Sequence, residues 1–379
     1  MRFVLHWSLA SLIALGGPVS ASSVEPDRAS QAASEKRFFP SDEEIGALVR
    51  PHVERGSVKG VVIGLIEPDG TRRILSYGSA GEGARPIGPK SVFEIGSLNK
   101  TFTATVLADM VRRGEVGLDD PVAKYLPKDV RVPSRNGKAI TLRQLATHMS
   151  GLPHLPDGFV PADPENPFAS FDEKELYAFL ARYALPYDPG EKSEYSNVGM
   201  GLLGHALARA AHAKDFQALV AARILKPLRL TRTAYGQAAN VAPLMAKGHD
   251  PSGKIVHYWD TGMLAGAGGL NSNTEDVLTY LAAHMDPPRS AITRAMHDTH
   301  LPQAIAQGSR GLAWGIRRRD GQTILRHSGQ TAGFRTFIAF DPERHAGVVA
   351  LTNTSGFDTI DDIAQVLLDP KRGEKAAAR

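Results

Sequence analysis

Ser97 and Lys100 stand three residues apart at the start of a predicted helix, in Ser-Leu-Asn-Lys followed by Thr-Phe-Thr-Ala. This spacing places the serine hydroxyl and the lysine amine on one helical face, about 5–6 Å apart at Cβ. A serine hydroxyl is a weak nucleophile without an adjacent base. Lysine is that base only when neutral, which requires a pKa lowered by about 3 units through burial or a neighbouring cation. The pair therefore indicates nucleophilic chemistry in an enclosed cleft.

Tyr195 and Asn197 form a second polar group, at a predicted loop-to-helix boundary. They lie in Tyr-Ser-Asn, after Pro189-Gly190 and before a helix rich in small residues that begins near Gly199. A phenol at this place can relay protons, and a carboxamide can hold a substrate amide. The same residues also fit a core tyrosine followed by a helix-capping asparagine.

A third polar group, His327-Ser328-Gly329, ends a predicted strand, and Gly333-Phe334 opens the next one. A strand edge of this kind can pair with an extended substrate and offer backbone N–H groups to a developing oxyanion. Each group has a plain alternative when taken alone. The third fits a simple turn, and a chain with this many serines contains about one Ser-x-x-Lys by chance.

The composition is that of a globular enzyme. The 379 residues include 44 Lys+Arg, 40 Asp+Glu and no cysteine, and 42% of them are hydrophobic. The formal net charge of +4 is too weak to favour nucleic acid as a partner. The lack of cysteine excludes thiol nucleophiles, thiolate zinc sites and iron–sulfur clusters.

Residues 1–21 have the pattern of a secretory signal peptide. Met1-Arg2 is a positive start, the stretch to Gly17 is mostly apolar, and Val19-Ser20-Ala21 offers small residues for cleavage. The apolar run is shorter than the roughly 20 residues that a bilayer requires, so an uncleaved anchor fits less well. We expect a flexible tail at 22–37, a periplasmic protein, and no membrane span after cleavage.

Strand patterns lie at both ends of the chain, and helical patterns lie between them. A capping box at Ser41 and Glu44 begins a predicted helix at 42–55. Predicted strands occupy 60–66, 73–77, 323–326, 334–340 and 347–351, and a closing helix carries Ile360, Ile363 and Leu367. The clearer helices between them are 101–113, 199–211 and 275–284.

This arrangement predicts an α/β fold of the α+β type, with a central antiparallel sheet built from N- and C-terminal strands and flanked by helices. We expect a discontinuous sheet domain at 38–95 and 300–370. A mainly helical domain would be inserted at 96–299, with the active site at the interface.

In this order and spacing, the three polar groups resemble the penicillin-recognising serine hydrolases, most closely the class C β-lactamase branch and its DD-peptidase relatives. The resemblance extends through 93–103, 114–121, 140–148 and 151–153. It implies a β-lactamase/transpeptidase-like fold and a secreted serine hydrolase that acts through an acyl-enzyme on a β-lactam or a D-Ala-D-Ala peptide. We expect a class C-like β-lactamase that is a monomer and needs no cofactor and no metal.

The resemblance assigns roles to individual residues. Ser97 becomes the acylated nucleophile, Lys100 its proton partner, and Tyr195 the acid/base for the nucleophile and for the deacylating water. The residues implied in substrate binding are Asn197 (side-chain amide), Ser97 and Gln330 (backbone oxyanion hole), His327, Ser328, Gly329, and Asn353 (substrate carboxylate).

Two positions depart from the class C pattern. His327 stands where those enzymes have lysine, and a histidine of reference pKa about 6.5 is only partly charged at neutral pH. Carboxylate binding is therefore expected to be weaker and to decline between about pH 6 and 8. His154 follows Gly-Leu-Pro where class C enzymes place a glutamine, so recognition of the β-lactam side chain is expected to differ.

Other functions remain open at this stage. A D-alanyl-D-alanine carboxypeptidase or endopeptidase and a β-lactamase-like esterase share the acylation step, and a penicillin-binding sensor would acylate without turnover. The chain has no Gly-x-Ser-x-Gly, which argues against an α/β-hydrolase. His297 and His300 could share a helical face and bind zinc, but no third ligand is evident, so a solvated helix end is the preferred interpretation.

Overall fold

Antiparallel strands form the centre of the structure, a computed structural model that describes residues 37–303, 310–319 and 321–369. The strands are β1 (Gly60–Ile66), β2 (Arg72–Gly78), β3 (Val92–Glu94), β4 (Ser134–Arg135), β5 (Lys138–Ala139), β6 (Ala234–Tyr235), β7 (Leu270–Asn273), β8 (Gly315–Arg319), β9 (Gln322–Gln330), β10 (Arg335–Asp341) and β11 (Ala346–Thr352). The main sheet has the order β2-β1-β11-β10-β9-β8. Because β1 pairs with β11, with Val61 opposite Thr352, the two ends of the fold meet in one sheet, as predicted.

Helices surround this sheet and fill the middle of the chain. They are α1 (Asp42–Glu54), α2 (Asn99–Arg112), α3 (Leu142–Ala146), α4 (Glu173–Arg182), α5 (Asn197–Ala210), α6 (Phe216–Val220), α7 (Thr274–Met285), α8 (Ala291–His300) and α9 (Thr359–Leu368). The predicted helices and the Ser41 capping box of α1 are confirmed.

The central strands are buried on both faces. All seven residues of β1 and of β11 are buried. Alternate side chains of a strand point to opposite faces. Accordingly, Ile63 packs in the hydrophobic cluster that contains α1 and α9, whereas Val62 packs in the cluster that contains α7. This two-sided burial explains why the strands read as continuous apolar runs such as Gly-Val-Val-Ile-Gly-Leu-Ile.

Several short elements were not predicted. β3, β7 and β6 form a second, three-stranded sheet in that order, and β4 pairs with β5. Strands of two to four residues are too short to show a period of two. β8 was missed because its sequence, Gly-Ile-Arg-Arg-Arg, is largely cationic and its last two residues are exposed on the sheet edge.

The chain from Phe38 onward packs as one unit. The division into a sheet domain and an inserted helical domain remains a prediction. The predicted signal peptide and all of the predicted tail except Arg37 lie outside the described residues. Within the described ranges, no helix is both long and apolar enough to cross a membrane.

Candidate active site

Ser97 lies in a single 3₁₀ turn, Gly96–Leu98, that connects β3 to the buried helix α2. The turn begins with Gly96 in a left-handed conformation, with φ of +53°. A β-carbon on Gly96 would lie 2.8 Å from the backbone nitrogen of Gln330. Glycine is therefore required for two reasons, the backbone angle and the close approach of the β9 end.

The Ser97 hydroxyl lies between an amine and a phenol. Lys100 Nζ is 2.9 Å from Ser97 Oγ and donates to the Ala267 carbonyl at 2.8 Å. Tyr195 donates its hydroxyl proton to Ser97 Oγ at 2.7 Å. Because that bond supplies Oγ with a donor, the serine's own proton is free to point toward Lys100. The three predicted catalytic side chains are thus brought together.

Burial sets the protonation states of this group. Lys100 is 0% exposed, and desolvation holds the pKa of its amine well below the usual range. Burial around the hydroxyl raises the pKa of Tyr195 to about 12, although 37% of the whole residue faces the cleft. The resting site therefore favours a neutral amine, which can accept the Ser97 proton, beside a phenol that can donate one.

His148 supports Tyr195 and had no predicted role. Its ring centroid lies 4.5 Å from that of Tyr195, and its Nδ1 accepts the backbone N–H of Ser196 at 3.3 Å. Burial lowers the pKa of His148 well below its usual value. A neutral imidazole at this position fixes the tyrosine ring without adding a charge. Thr147-His148 lies in a stretch that resembles the family, but nothing in that stretch indicates a contact between His148 and Tyr195.

The end of β9 packs directly on the nucleophile turn. A β-carbon on Gly329 would lie 3.0 Å from the backbone nitrogen of Ser97. Together with the Gly96–Gln330 approach, this brings the backbone of Ser97 and that of Gln330 side by side. Two backbone N–H groups on facing segments beside a nucleophile are what an oxyanion hole needs, so the approach supports that expectation.

Asn197 lines a pocket beside Ser97 that Gln330 also lines. Its Nδ2 lies 3.0 Å from His154 Nε2 and donates to it. The described residues offer no donor to Asn197 Oδ1, which leaves that oxygen to accept a substrate N–H. His154, which follows Gly-Leu-Pro where a glutamine was expected from the class C pattern, thus lies in contact with Asn197.

Glu94 is a buried carboxyl group in the same pocket, and sequence reasoning missed it. It is 4% exposed, and its two oxygens accept the Trp259 N–H at 2.6 Å and the Thr331 hydroxyl at 2.7 Å. Burial raises its pKa to about 7 against the lowering effect of these bonds. Glu94 therefore links β3 to Thr331, the residue after Gln330, and to Trp259 in the pocket wall.

Glu94→Gln is expected to change the pH dependence of stability. A carboxyl group whose pKa rises from 4.5 unfolded to about 7 folded stabilises the fold below the lower value and loses that contribution as the pH rises through the higher one. The loss is at most about 3 kcal/mol. Urea unfolding at about pH 5 and pH 8 measures the free energy of unfolding of both proteins. The stability of the variant relative to wild type should be greater at pH 8 than at pH 5. A difference that is the same at both pH values would refute the raised pKa.

His327 is neutral, so the expectation of a partly charged imidazole is wrong. The residue is 9% exposed, and burial lowers its pKa to about 3. Its Nδ1 lies 2.7 Å from the Ser328 carbonyl, which can only accept, so Nδ1 carries the proton and Nε2 is an acceptor. His327 and Ser328 line the cleft beside Tyr195, but neutral His327 has no N–H left for a carboxylate.

Asn353 does not lie in the cleft, contrary to expectation. It is 0% exposed, and its Nδ2 donates to the carbonyls of Ser79 at 3.2 Å and Lys247 at 3.0 Å. An amide with both hydrogens committed inside the protein cannot bind a substrate carboxylate. Its observed contacts tie the end of β11 to two neighbouring segments.

His300 is not part of a solvated helix end. Its Nε2 lies 2.8 Å from His284 Nδ1, and its ring packs against Trp314 and Phe340. Burial lowers the pKa of His300 to about 3. Across the described part of the chain, no group of three His, Asp or Glu side chains is placed to hold a metal ion.

Comparison with known proteins adds independent observations. Residues 45–369 match the family model named Beta-lactamase. The chain is 26% identical over 344 residues to a β-lactamase of Pseudomonas fluorescens, and the alignment covers 82% of this chain and 92% of that protein. It is 28% identical over 336 residues to the D-alanyl-D-alanine-carboxypeptidase/endopeptidase AmpH of Escherichia coli K12, covering 82% of this chain and 85% of that one.

Solved structures share the fold. A β-lactamase/D-alanine carboxypeptidase from Yersinia pestis, solved with citrate, aligns with a TM-score of 0.73 and 25% identity over 86% of this chain and 96% of its own. A D-alanine carboxypeptidase AmpC from Burkholderia cenocepacia aligns with a TM-score of 0.73 and 26% identity, over 86% and 98%. The family match runs from α1 to the end of α9 and includes the whole Ser97 site. The chain therefore belongs to the β-lactamase family, within the penicillin-recognising serine hydrolases.

Proposed function

We propose that the protein is a periplasmic, monomeric β-lactamase that hydrolyses the β-lactam amide through an acyl-enzyme on Ser97. One observation carries the proposal: Ser97 Oγ lies 2.9 Å from the buried Lys100 amine and 2.7 Å from the Tyr195 hydroxyl. A hydroxyl held between a base and an acid is suited to attack a carbonyl and then to release a leaving nitrogen.

Acylation begins with attack of Ser97 Oγ on the lactam carbonyl while its proton passes to Lys100. The backbone N–H groups of Ser97 and Gln330 stabilise the oxyanion, a contribution of about 3–4 kcal/mol for each donor. The carbon–nitrogen bond then breaks, and the leaving nitrogen takes a proton from Tyr195. The site is left with an ammonium and a phenolate, so the total charge is unchanged.

Deacylation returns both protons. The Tyr195 phenolate takes a proton from water as the resulting hydroxide attacks the ester carbonyl. When the second tetrahedral intermediate collapses, Ser97 Oγ leaves and recovers its proton from Lys100. The neutral amine, the phenol and the serine hydroxyl are restored, and the cycle needs no other titrating group.

A D-Ala-D-Ala carboxypeptidase/endopeptidase is the second candidate. The observation that favours it is the neutral state of His327, since class C β-lactamases were expected to have a permanent cation there. The similarity to AmpH and to solved D-alanine carboxypeptidases points the same way. The esterase and the non-catalytic sensor share the same nucleophile and differ in substrate or in turnover.

Steady-state turnover of three substrates by the mature protein distinguishes these functions. The substrates are a chromogenic cephalosporin, a peptide ending in D-Ala-D-Ala and a short-chain ester, with Ser97→Ala as control. We expect the highest kcat/KM for the cephalosporin and no turnover by the variant. Turnover of the peptide alone would establish the carboxypeptidase, and a single stoichiometric burst would establish the sensor. Unchanged turnover by Ser97→Ala would refute all four.

A further inference from the structure

A buried hydrogen bond between Glu94 and Thr331 connects the two segments that carry the expected oxyanion-hole N–H groups. Glu94 ends β3 and lies three residues before Ser97, and Thr331 directly follows Gln330, the last residue of β9. The Thr331 hydroxyl donates to Glu94 Oε2 at 2.7 Å, and the two residues are 8% and 4% exposed. This bond therefore joins the strand that leads into the nucleophile turn to the segment that packs on that turn.

The other oxygen of the same carboxyl group is held by the pocket wall. Glu94 Oε1 accepts the backbone N–H of Trp259 at 2.6 Å, and the Trp259 ring packs edge-on against Phe168 in the wall of the pocket that Ser97 lines. A backbone N–H can only donate, so Oε1 stays an acceptor in both protonation states of the carboxyl group. Protonation therefore falls on Oε2, the oxygen that faces Thr331.

Protonation at Oε2 changes the bond to Thr331. As a carboxylate, Glu94 accepts the Thr331 hydroxyl proton in a charge-assisted hydrogen bond, which is about twice as strong as a neutral one. As an acid, Glu94 carries the proton on Oε2 and donates it to the Thr331 oxygen, in a neutral bond of reversed direction. The connection between the two segments is thus strongest when Glu94 is charged.

We infer that Glu94 is a positioning residue that holds the backbone N–H groups of Ser97 and Gln330 at the separation an oxyanion requires, and that it does so fully only as a carboxylate. The inference rests on the proposed function and concerns the regulation of the same site. Glu94 acts through Thr331 and through β3 rather than on the reacting atoms. Oxyanion stabilisation is gained in the transition state, so the effect belongs to kcat and not to KM.

The carboxyl group titrates near neutrality, and its neighbours do not add a charge there. Burial raises the pKa of Glu94 to about 7. Burial also raises the pKa of Tyr258, which interacts with Glu94, above its usual value of 10.0 and holds the Lys100 amine of α2 neutral. On β7, the residue opposite Glu94 is the uncharged Asn271. Because the carboxylate is the form that holds the site, kcat should rise as the pH rises through about 7.

Glu94→Gln tests the inference, because glutamine keeps an acceptor oxygen for Trp259 and presents an N–H to Thr331, as the protonated acid does. We expect kcat for a chromogenic cephalosporin at pH 8 to fall roughly 10-fold below wild type, as for loss of a charged hydrogen bond, with KM little changed. At about pH 5, where wild type is itself protonated, the two proteins should have the same kcat. The ratio of the two kcat values isolates this titration from any other in the mechanism.

Glu67→Gln is the matched control. Glu67 is a carboxyl group of similar burial, 6% exposed, and it bonds to the Phe38 N–H and to Arg73 rather than to a residue of the cleft. Its kcat should equal that of wild type at both pH values.

Thr331 offers a second test from the other side of the bond. Thr331→Val removes the hydroxyl and should lower kcat at pH 8 by a similar factor, whereas Thr331→Ser keeps the donor and should stay close to wild type. Because both residues act through one bond, Glu94→Gln/Thr331→Val should be no slower than either single variant. Losses that multiply in the double variant would overturn the inference.

Equal kcat of wild type and Glu94→Gln at pH 8, or a kcat ratio that is the same at both pH values, would also overturn the inference while the proposed function stood. Failure of wild type to hydrolyse the cephalosporin would instead refute the proposed function. In that case, calorimetry with an arylboronic acid decides the matter, since its boron accepts a lone pair of Ser97 Oγ and becomes a tetrahedral anion that resembles the transition state. Weaker binding to Glu94→Gln at pH 8 but not at pH 5 supports the inference, and equal binding at both overturns it.

Discussion

Lys100→Met is expected to lower kcat/KM for a β-lactam by roughly 10²- to 10⁴-fold, the usual contribution of a general acid–base group. Methionine has nearly the length of lysine and no proton-accepting nitrogen. The Lys100 side chain is fully buried along its apolar stem, so an apolar replacement should fit with the fold intact. Without the amine 2.9 Å from Ser97 Oγ, the hydroxyl proton has no acceptor when the nucleophile attacks.

The measurement is the acylation rate with a chromogenic cephalosporin by stopped flow, beside circular dichroism to establish folding. Lys174→Met, on the exposed face of α4, is the matched control and should acylate at the wild-type rate. A folded Lys100→Met protein that acylates as fast as wild type would mean that Lys100 is not the base.

Tyr195→Phe is expected to lower turnover by a similar factor, roughly 10²- to 10⁴-fold. The substitution keeps the ring that packs against His148 and deletes the hydroxyl that donates to Ser97 Oγ at 2.7 Å. The leaving nitrogen then lacks its proton donor, and the deacylating water lacks its base. Both half-reactions should slow, whereas thermal stability should stay close to that of wild type.

Steady-state kcat/KM and the lifetime of the acyl-enzyme check this expectation. Tyr183→Phe removes another partly buried phenol, at the end of α4 and outside the cleft-lining residues, and should have little effect on either quantity. Wild-type turnover by a folded Tyr195→Phe protein would remove Tyr195 from the mechanism.

The catalytic group was predictable because its signals are local. Ser97 and Lys100 are one helical turn apart, and Tyr195 sits in a short motif at the start of α5. The two ends of the main sheet were also predictable, since strands buried on both faces appear as uninterrupted apolar runs. The structure shows that the two motifs, 98 residues apart in sequence, meet through the hydrogen bond between Tyr195 and Ser97.

The remaining features of the site depend on contacts that no local pattern signals. Glu94 and Thr331 meet across 237 residues of sequence, and only their burial gives the carboxyl group its raised pKa. The lowered pKa of His327 results from its burial in the cleft, which the local sequence does not indicate. Asn353 has a sequence neighbourhood similar to the family pattern, yet its amide is directed to two backbone carbonyls.

Mass spectrometry of the mature protein after incubation with a penicillin tests the acyl-enzyme on Ser97 most directly. The account predicts one adduct of the drug's mass, located on the peptide that contains Ser97, and no adduct in Ser97→Ala. Lys100 beside Ser97 and the packing of Gln330 against its turn single out this hydroxyl among the serines of the cleft. An adduct that persists in Ser97→Ala, or that maps to Ser328, would contradict the account.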